Sequence, residues 1–285
     1  MLKLSNFKIQ GQDTFGEYYE GKVYPVSDKF RAKYRCIRSI IENNAIDDLK
    51  RDLEENKEVY PVKAVRMLPP ISPGSRIFCV GLNYPKKYML DSSMNERDEM
   101  ILFSKELDSF VGSDCPIRVP TGPAGKSLDY EGELGIIIGK AGKDIKPEEV
   151  QSHIFGFTIV NDGSVRDWQK HSIFAGKNFE CSSSCGPCIL VNHEELRPET
   201  FLLTTKLNDQ VVQKAKIETM IFKCEEIIAY VSTILTLKPG DVIATGSPEG
   251  SGMSQDPYRF LQDGDSLEIA ISNIGVLRNN VVSFG

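Results

Sequence analysis

Asp129-Tyr130-Glu131-Gly132-Glu133-Leu134-Gly135-Ile136-Ile137-Ile138-Gly139 has the make-up of a β-strand carrying chemistry at one end. Strand side chains alternate between faces, so Glu131 and Glu133 point one way while Tyr130, Leu134, Ile136 and Ile138 point the other. Two carboxylates on one partly buried face repel each other unless a cation lies between them or one takes a proton. A divalent metal meets that need; an exposed edge strand with two solvated glutamates fits the same residues. A second run, Phe155-Gly156-Phe157-Thr158-Ile159-Val160-Asn161-Asp162, ends in a third carboxylate, which also suits the N-cap of a following turn. If that turn is helical, Arg166 and Gln169 share a face at i, i+3 and can address a substrate carboxylate. Three carboxylates without histidine make a hard oxygen site for Mg²⁺ or Mn²⁺, with Ca²⁺ also suited. Its open positions suit the carboxylate and keto oxygens of a small 2-oxo acid, whose enolate the metal would stabilise.

Outward from this stretch, short β-like runs recur at Arg76 to Val80, Asp241 to Thr245 and Ser266 to Ile271, separated by turns such as Lys238-Pro239-Gly240-Asp241 and Gln262-Asp263-Gly264-Asp265. They predict a mostly antiparallel β architecture. Only Met220 to Leu235 in this part has a helical apolar stripe. Upstream, two strand-like segments precede a charged run, Asp28 to Lys57, that reads as one or two amphipathic helices. The stop Leu68-Pro69-Pro70-Ile71-Ser72-Pro73-Gly74 then suggests a boundary. The expected class is α+β and β-rich, with a small N-terminal α/β domain over 1–72 and a catalytic domain over 73–285.

Composition narrows the function. A chain of 285 residues, 40% hydrophobic and 26% charged, is long enough to build its own core, and a net charge of −6 opposes a broad nucleic-acid or membrane surface. No secretory signal or spanning helix is legible, and seven cysteines, an odd number, suit a reducing cytosol. The expected location is therefore cytoplasmic. Ala244-Thr245-Gly246-Ser247-Pro248-Glu249-Gly250-Ser251-Gly252 lacks the Lys-Ser/Thr pair of a phosphate loop, although its backbone N–H groups and the Thr245 and Ser247 hydroxyls suit an anionic group. Cys181, Cys185 and Cys188 have the C-x3-C-x2-C spacing of radical iron–sulfur enzymes, but without a surrounding series of βα units they read as incidental or buried thiols.

Together with these motifs, Gly81-Leu82-Asn83-Tyr84, Leu102-Phe103-Ser104-Lys105, Gly176-Lys177, Gly186-Pro187, Thr245-Gly246-Ser247-Pro248 and Gly275-Val276-Leu277-Arg278-Asn279 occur in an order and spacing that resembles the fumarylacetoacetate hydrolase family from about Ser75 to Val282. The resemblance implies a mixed β-roll, a homodimer, and a divalent metal on Glu131, Glu133 and Asp162. It further implies hydrolysis, decarboxylation or tautomerisation of acylpyruvate-like 2-oxo acids. Carried over by position, Arg166 and Gln169 contact substrate, Lys177 lies near the reacting oxygens, and Thr245 holds a substrate carboxylate; Tyr84 and Ser247 join them as substrate-binding candidates.

Two departures bear on the reaction. Hydrolytic and decarboxylating members carry a water-activating His-Glu pair after Asn-Tyr, whereas this chain reads Asn83-Tyr84-Pro85-Lys86-Lys87-Tyr88-Met89-Leu90, with Lys87 and Leu90 at those positions. Near Lys177, the family's aspartate is Glu180. The expected function is a metal-dependent enzyme acting on a small 2-oxo acid or its enol, with tautomerisation, decarboxylation or hydration favoured over C–C hydrolysis. Lys87 is expected to enter the site from a lid over 83–98; a solvated surface lysine fits the same residue. A metal-binding relative without turnover is the alternative.

Overall fold

A computed structural model describes residues 1–85 and 99–283 of the chain. Lys87 and all but the first residues of the expected lid lie outside the described residues. Gly132–Ile138 is an interior strand of a 12-stranded sheet, paired antiparallel with Ile154–Asn161 on one side and Val242–Ala244 on the other. Every residue of that strand is buried, so the exposed-edge reading does not hold. Leu134, Ile136 and Ile138 enter one core cluster and Ile137 enters another, as period-two alternation requires when both faces are covered.

The first of those faces packs on a five-stranded sheet that includes Leu202–Leu207 and Ser266–Ile271, whose alternating burial leaves one side to solvent. The sheets approach closely at Gly132, where a Cβ would come within 2.4 Å of Thr205 Oγ1. The opposite face is covered by N-terminal helices through Phe30, Ile37, Ile40 and Leu49, packed with Ile137, Val160 and Val242. Two sheets and a helical layer thus form the β-rich α+β class.

The N-terminal charged run forms three helices, Asp28–Lys33, Ile37–Glu42 and Ile46–Glu55. Ser27 caps the first through the Phe30 N–H, and a positive φ at Asn44 turns the chain before the third. The predicted late helix is shorter, Cys224–Ile234, because the Glu226 carboxylate accepts from the Lys223 N–H at 2.8 Å and starts it there. Sequence reasoning sets a boundary near residue 72, yet the large sheet runs through it: Lys3–Ile9 pairs antiparallel with Ser183–Val191, the neighbour of Ile154–Asn161. Among the described residues no helix is long and apolar enough to cross a membrane.

Candidate active site

The register of the two central strands assembles the acidic cluster. Gly132 lies opposite Asn161 and Glu133 opposite Val160, which brings Glu131 level with Asp162 just past the strand end. The Asp162 N–H donates to the Glu131 carbonyl at 2.9 Å, and the Glu131 N–H donates to Asn161 Oδ1 at 3.1 Å, locking the two ends together. All three acidic side chains are buried, and one oxygen from each lies within 4.8 Å of the others.

Cations surround two of the three. Lys177 Nζ stands 2.5 Å from Glu131 Oε2 and also donates to Asp162 Oδ2. Lys105 Nζ lies 2.9 Å from Asp162 Oδ1 and donates to the carbonyls of Gly163, at 3.1 Å, and Lys177. Arg166 Nη2 lies 3.0 Å from Glu131 Oε1 and 2.8 Å from Asp129 Oδ2. Burial alone would pull Lys177 down, but the Asp162 and Glu131 carboxylates outweigh it and hold its pKa above the ordinary lysine range, so it stays an ammonium.

Glu133 is treated differently. Its hydrogen bond among the described residues is the Gly246 N–H at 2.9 Å, and burial, reinforced by Asp162 and Glu131, raises its carboxyl well above the usual range. A buried carboxylate short of positive charge, within reach of two others, is the condition a divalent cation relieves. The donor set is oxygen throughout, which fits a hard ion. The residues present therefore fit the metal.

The cluster opens into a cavity of about 350 Å³. Arg166, Gln169, Lys177, Ser247 and Ser251 line it beside the carboxylates, and Val80, Ile101, Phe103, Ile173 and Met253 form an apolar wall. The helix Arg166–Gln169 follows Asp162 closely, and Arg166 Nη1 points at Gln169 Oε1, 3.4 Å away. A larger cavity of about 820 Å³ lies between the N-terminal strands and the segment around Glu106 to Phe110, away from the converging carboxylates.

Other candidates from sequence sit around this core rather than in it. The Thr245 hydroxyl donates to the Leu134 carbonyl at 3.0 Å, and its own carbonyl accepts from Asn83 Nδ2 at 2.7 Å, so Thr245 fastens its loop to the central strand. Ser247 lines the cavity and accepts from Gln213 Nε2 at 2.8 Å. Tyr84 is buried beside the neighbouring cavity lined by Pro248 and Gly250; burial, then the charge of Glu133, raises its phenol above the ordinary range. Sequence reasoning missed the site role of Lys105. A lysine closing the apolar strand Ile101–Lys105 has the local signature of a solvated end, and the carboxylate it serves arrives from another strand.

Cys185 and Cys188 occupy the strand Ser183–Val191 but belong to different core clusters on the two faces of the sheet. Burial pushes both thiols up to about 12. Three thiolates cannot converge on a cluster from that arrangement. Anaerobically purified protein is expected to lack stoichiometric iron and sulfide in a colorimetric assay, and an iron–sulfur chromophore that disappears in Cys185→Ala would overturn this.

The strand pairing, the buried acidic trio and the cavity beside it define a metal-site enzyme on a mixed β-roll. The family model for the fumarylacetoacetate (FAA) hydrolase C-terminal region matches residues 76–282, and the chain belongs to the fumarylacetoacetate hydrolase family of enzymes. It is 34% identical over 241 residues to the mitochondrial oxaloacetate tautomerase Fahd2a of Rattus norvegicus, covering 84% of this chain and 76% of that one. To the oxaloacetate tautomerase YisK of Bacillus subtilis it is 34% identical over 227 residues, covering 78% and 75%. The structure superposes on a fumarylacetoacetate hydrolase from psychrophilic Exiguobacterium antarcticum with a TM-score of 0.86 at 32% identity, over 100% of both chains.

Proposed function

We propose that the protein is a divalent-metal-dependent tautomerase that interconverts the keto and enol forms of oxaloacetate or a close 2-oxo acid. The observation that carries this reading is the charge-deficient Glu133 beside Glu131 and Asp162, in a small cavity that also presents an ammonium and a guanidinium. Glu131, Glu133 and Asp162 would hold Mg²⁺ or Mn²⁺, which supplies Lewis-acid polarisation of the 2-oxo group when bound.

The side chains divide the remaining work. Arg166 and Gln169 receive the substrate carboxylate, with the Ser247 hydroxyl on the facing wall. Lys177, kept protonated by its two carboxylates, donates a hydrogen bond to the oxygen on which negative charge develops, an arrangement that favours the enolate over the ground state. Val80, Phe103 and Met253 exclude water from that oxygen and strengthen the interaction. The 34% identity to two oxaloacetate tautomerases supports this reaction, as do Lys87 and Leu90 at the positions where hydrolytic members carry the water-activating pair. Thr245 and Tyr84 back the substrate walls, while Lys87 lies outside the described residues. A cytoplasmic homodimer completes the proposal; the rat relative is named as mitochondrial.

The test is the rate at which enol-oxaloacetate ketonises, followed by ultraviolet absorbance with Mg²⁺ or Mn²⁺. Acceleration that EDTA abolishes and metal restores is expected. Cleavage of acylpyruvates without tautomerase activity would assign the site to C–C hydrolysis instead, and metal binding without turnover on either substrate would make the chain a binding relative.

A further inference from the structure

Asp129 opens the acidic motif but is not one of the converging trio. It ends the short strand Leu128–Asp129, paired with Ser164–Val165 so that Asp129 lies opposite Ser164, and it is fully buried. Its carboxylate is filled by protein donors. Oδ1 accepts from the N–H of Tyr130 at 2.8 Å and of Gly252 at 2.6 Å; Oδ2 accepts from the Met253 N–H at 3.1 Å and from Arg166 Nε at 2.8 Å, with Arg166 Nη2 ion-paired to it at 2.8 Å. Four hydrogen bonds and an ion pair leave the two oxygens no open direction for a metal.

These partners come from two separate segments that both line the cavity. Arg166 brings the one with Gln169, while Gly252 and its neighbours Ser251 and Met253 bring the other. The close approach requires glycine, because a Cβ at Gly252 would stand 2.1 Å from the Arg259 carbonyl and 2.8 Å from Asp129 Oδ1. With Nε and Nη2 of Arg166 held, Nη1 remains the edge turned to Gln169.

We infer that Asp129 is a positioning residue that fixes Arg166 and the Ser251–Met253 wall at a set separation, and so governs how tightly a 2-oxo acid fits. The inference rests on Arg166 receiving the substrate carboxylate. A guanidinium oriented by a buried carboxylate loses less freedom when it binds a second one, so the contribution falls on substrate affinity rather than on metal affinity.

Pyruvate titrations in saturating Mg²⁺ can be followed through Trp168, the single tryptophan of the chain, two residues beyond Arg166. Asp129→Asn and Arg166→Gln are each expected to weaken pyruvate binding about tenfold, with the double variant no more than about twofold weaker than Arg166→Gln, since both changes remove one coupled unit. Calorimetry should find the Mg²⁺ affinity of Asp129→Asn within about threefold of wild type, a result that loss of a ligand would not give. If Arg166→Gln loses affinity while Asp129→Asn does not, or if the two losses add in full, the positioning role falls and the substrate-binding reading stands. If Arg166→Gln itself binds pyruvate like wild type, both fall. Loss of Mg²⁺ affinity in Asp129→Asn comparable to that in Glu133→Gln would make Asp129 a ligand and overturn the inference. Should Asp129→Asn lack a cooperative thermal transition, Asp129→Glu, which keeps the charge and displaces it by one methylene, is expected to weaken pyruvate in the same way. Wild-type pyruvate affinity in Asp129→Glu, or failure of both variants to fold, would reject the positioning role.

Discussion

Glu133→Gln is expected to bind Mg²⁺ or Mn²⁺ about 100-fold more weakly than the wild type, a loss of about 2.7 kcal/mol. In the metal-free state it should melt no lower, and it is expected to melt higher. The two effects have one origin. Burial, then the neighbouring carboxylates Asp162 and Glu131, hold the Glu133 carboxyl well above its ordinary range. A carboxyl whose pKa is higher folded than unfolded costs stability above the unfolded value, and that cost vanishes as the pH falls and the group takes up its proton. The amide of glutamine keeps the shape and an acceptor for the Gly246 N–H without the charge. Calorimetric titration and thermal melts in chelator, run on both proteins, check the pair of signs. Equal metal affinity would remove Glu133 from the site, and a markedly lower melting point would show that its charge is compensated in the metal-free fold.

Lys177→Met should act in the opposite sense on stability and more severely on turnover. The Lys177 side chain is 5% exposed and its ammonium stands between Glu131 Oε2 and Asp162 Oδ2. Removing one partner of a buried ionic group leaves uncompensated charge at a cost of about 3–5 kcal/mol. For a chain of this size that corresponds to a fall in melting temperature of roughly 5–8 °C. Saturating Mg²⁺ should recover part of it, because a cation that binds only the folded state stabilises it by mass action. Tautomerase turnover should fall at least about 100-fold, the scale for loss of one donor to a developing oxyanion. A variant that melts like wild type without metal, or keeps its turnover within a few-fold, would exclude Lys177 from both roles.

The acidic strand was legible because its information is local. Alternation alone puts Glu131 and Glu133 on one face and Leu134, Ile136 and Ile138 on the other, and the core clusters divide along that line. Asp162 was legible as the end of an apolar run, although its placement beside Glu131 depends on a register, Gly132 opposite Asn161, that no local period encodes. The same limit hid the partners supplied from a distance. Lys105 reaches Asp162 from a different strand, and the Gly246 N–H reaches Glu133 from a loop far along the chain. The hydroxyl of Thr245 faces an anion or a carbonyl equally well on paper; packing turns it to Leu134. Three N-terminal helices in place of one or two follow from a cap at Ser27 and a left-handed residue at Asn44, signals weaker than the apolar stripe that joins them.

The antiparallel pairing of Lys3 with Leu190 and Leu4 with Ile189 makes the amino-terminal strands part of the scaffold beneath the chemistry. Ser183–Val191 stands between those strands and Ile154–Asn161, which leads into Asp162, so a shortened chain beginning near residue 73 would not be a minimal catalyst. It would leave Ile189 and Leu190 without their antiparallel partners, one strand from Asp162, and would strip the helical cover from Ile137 and Val160. Insertions between the two segments face no such constraint where they fall in exposed turns, so the chain can lengthen near its proline-rich crossing more readily than it can be cut there.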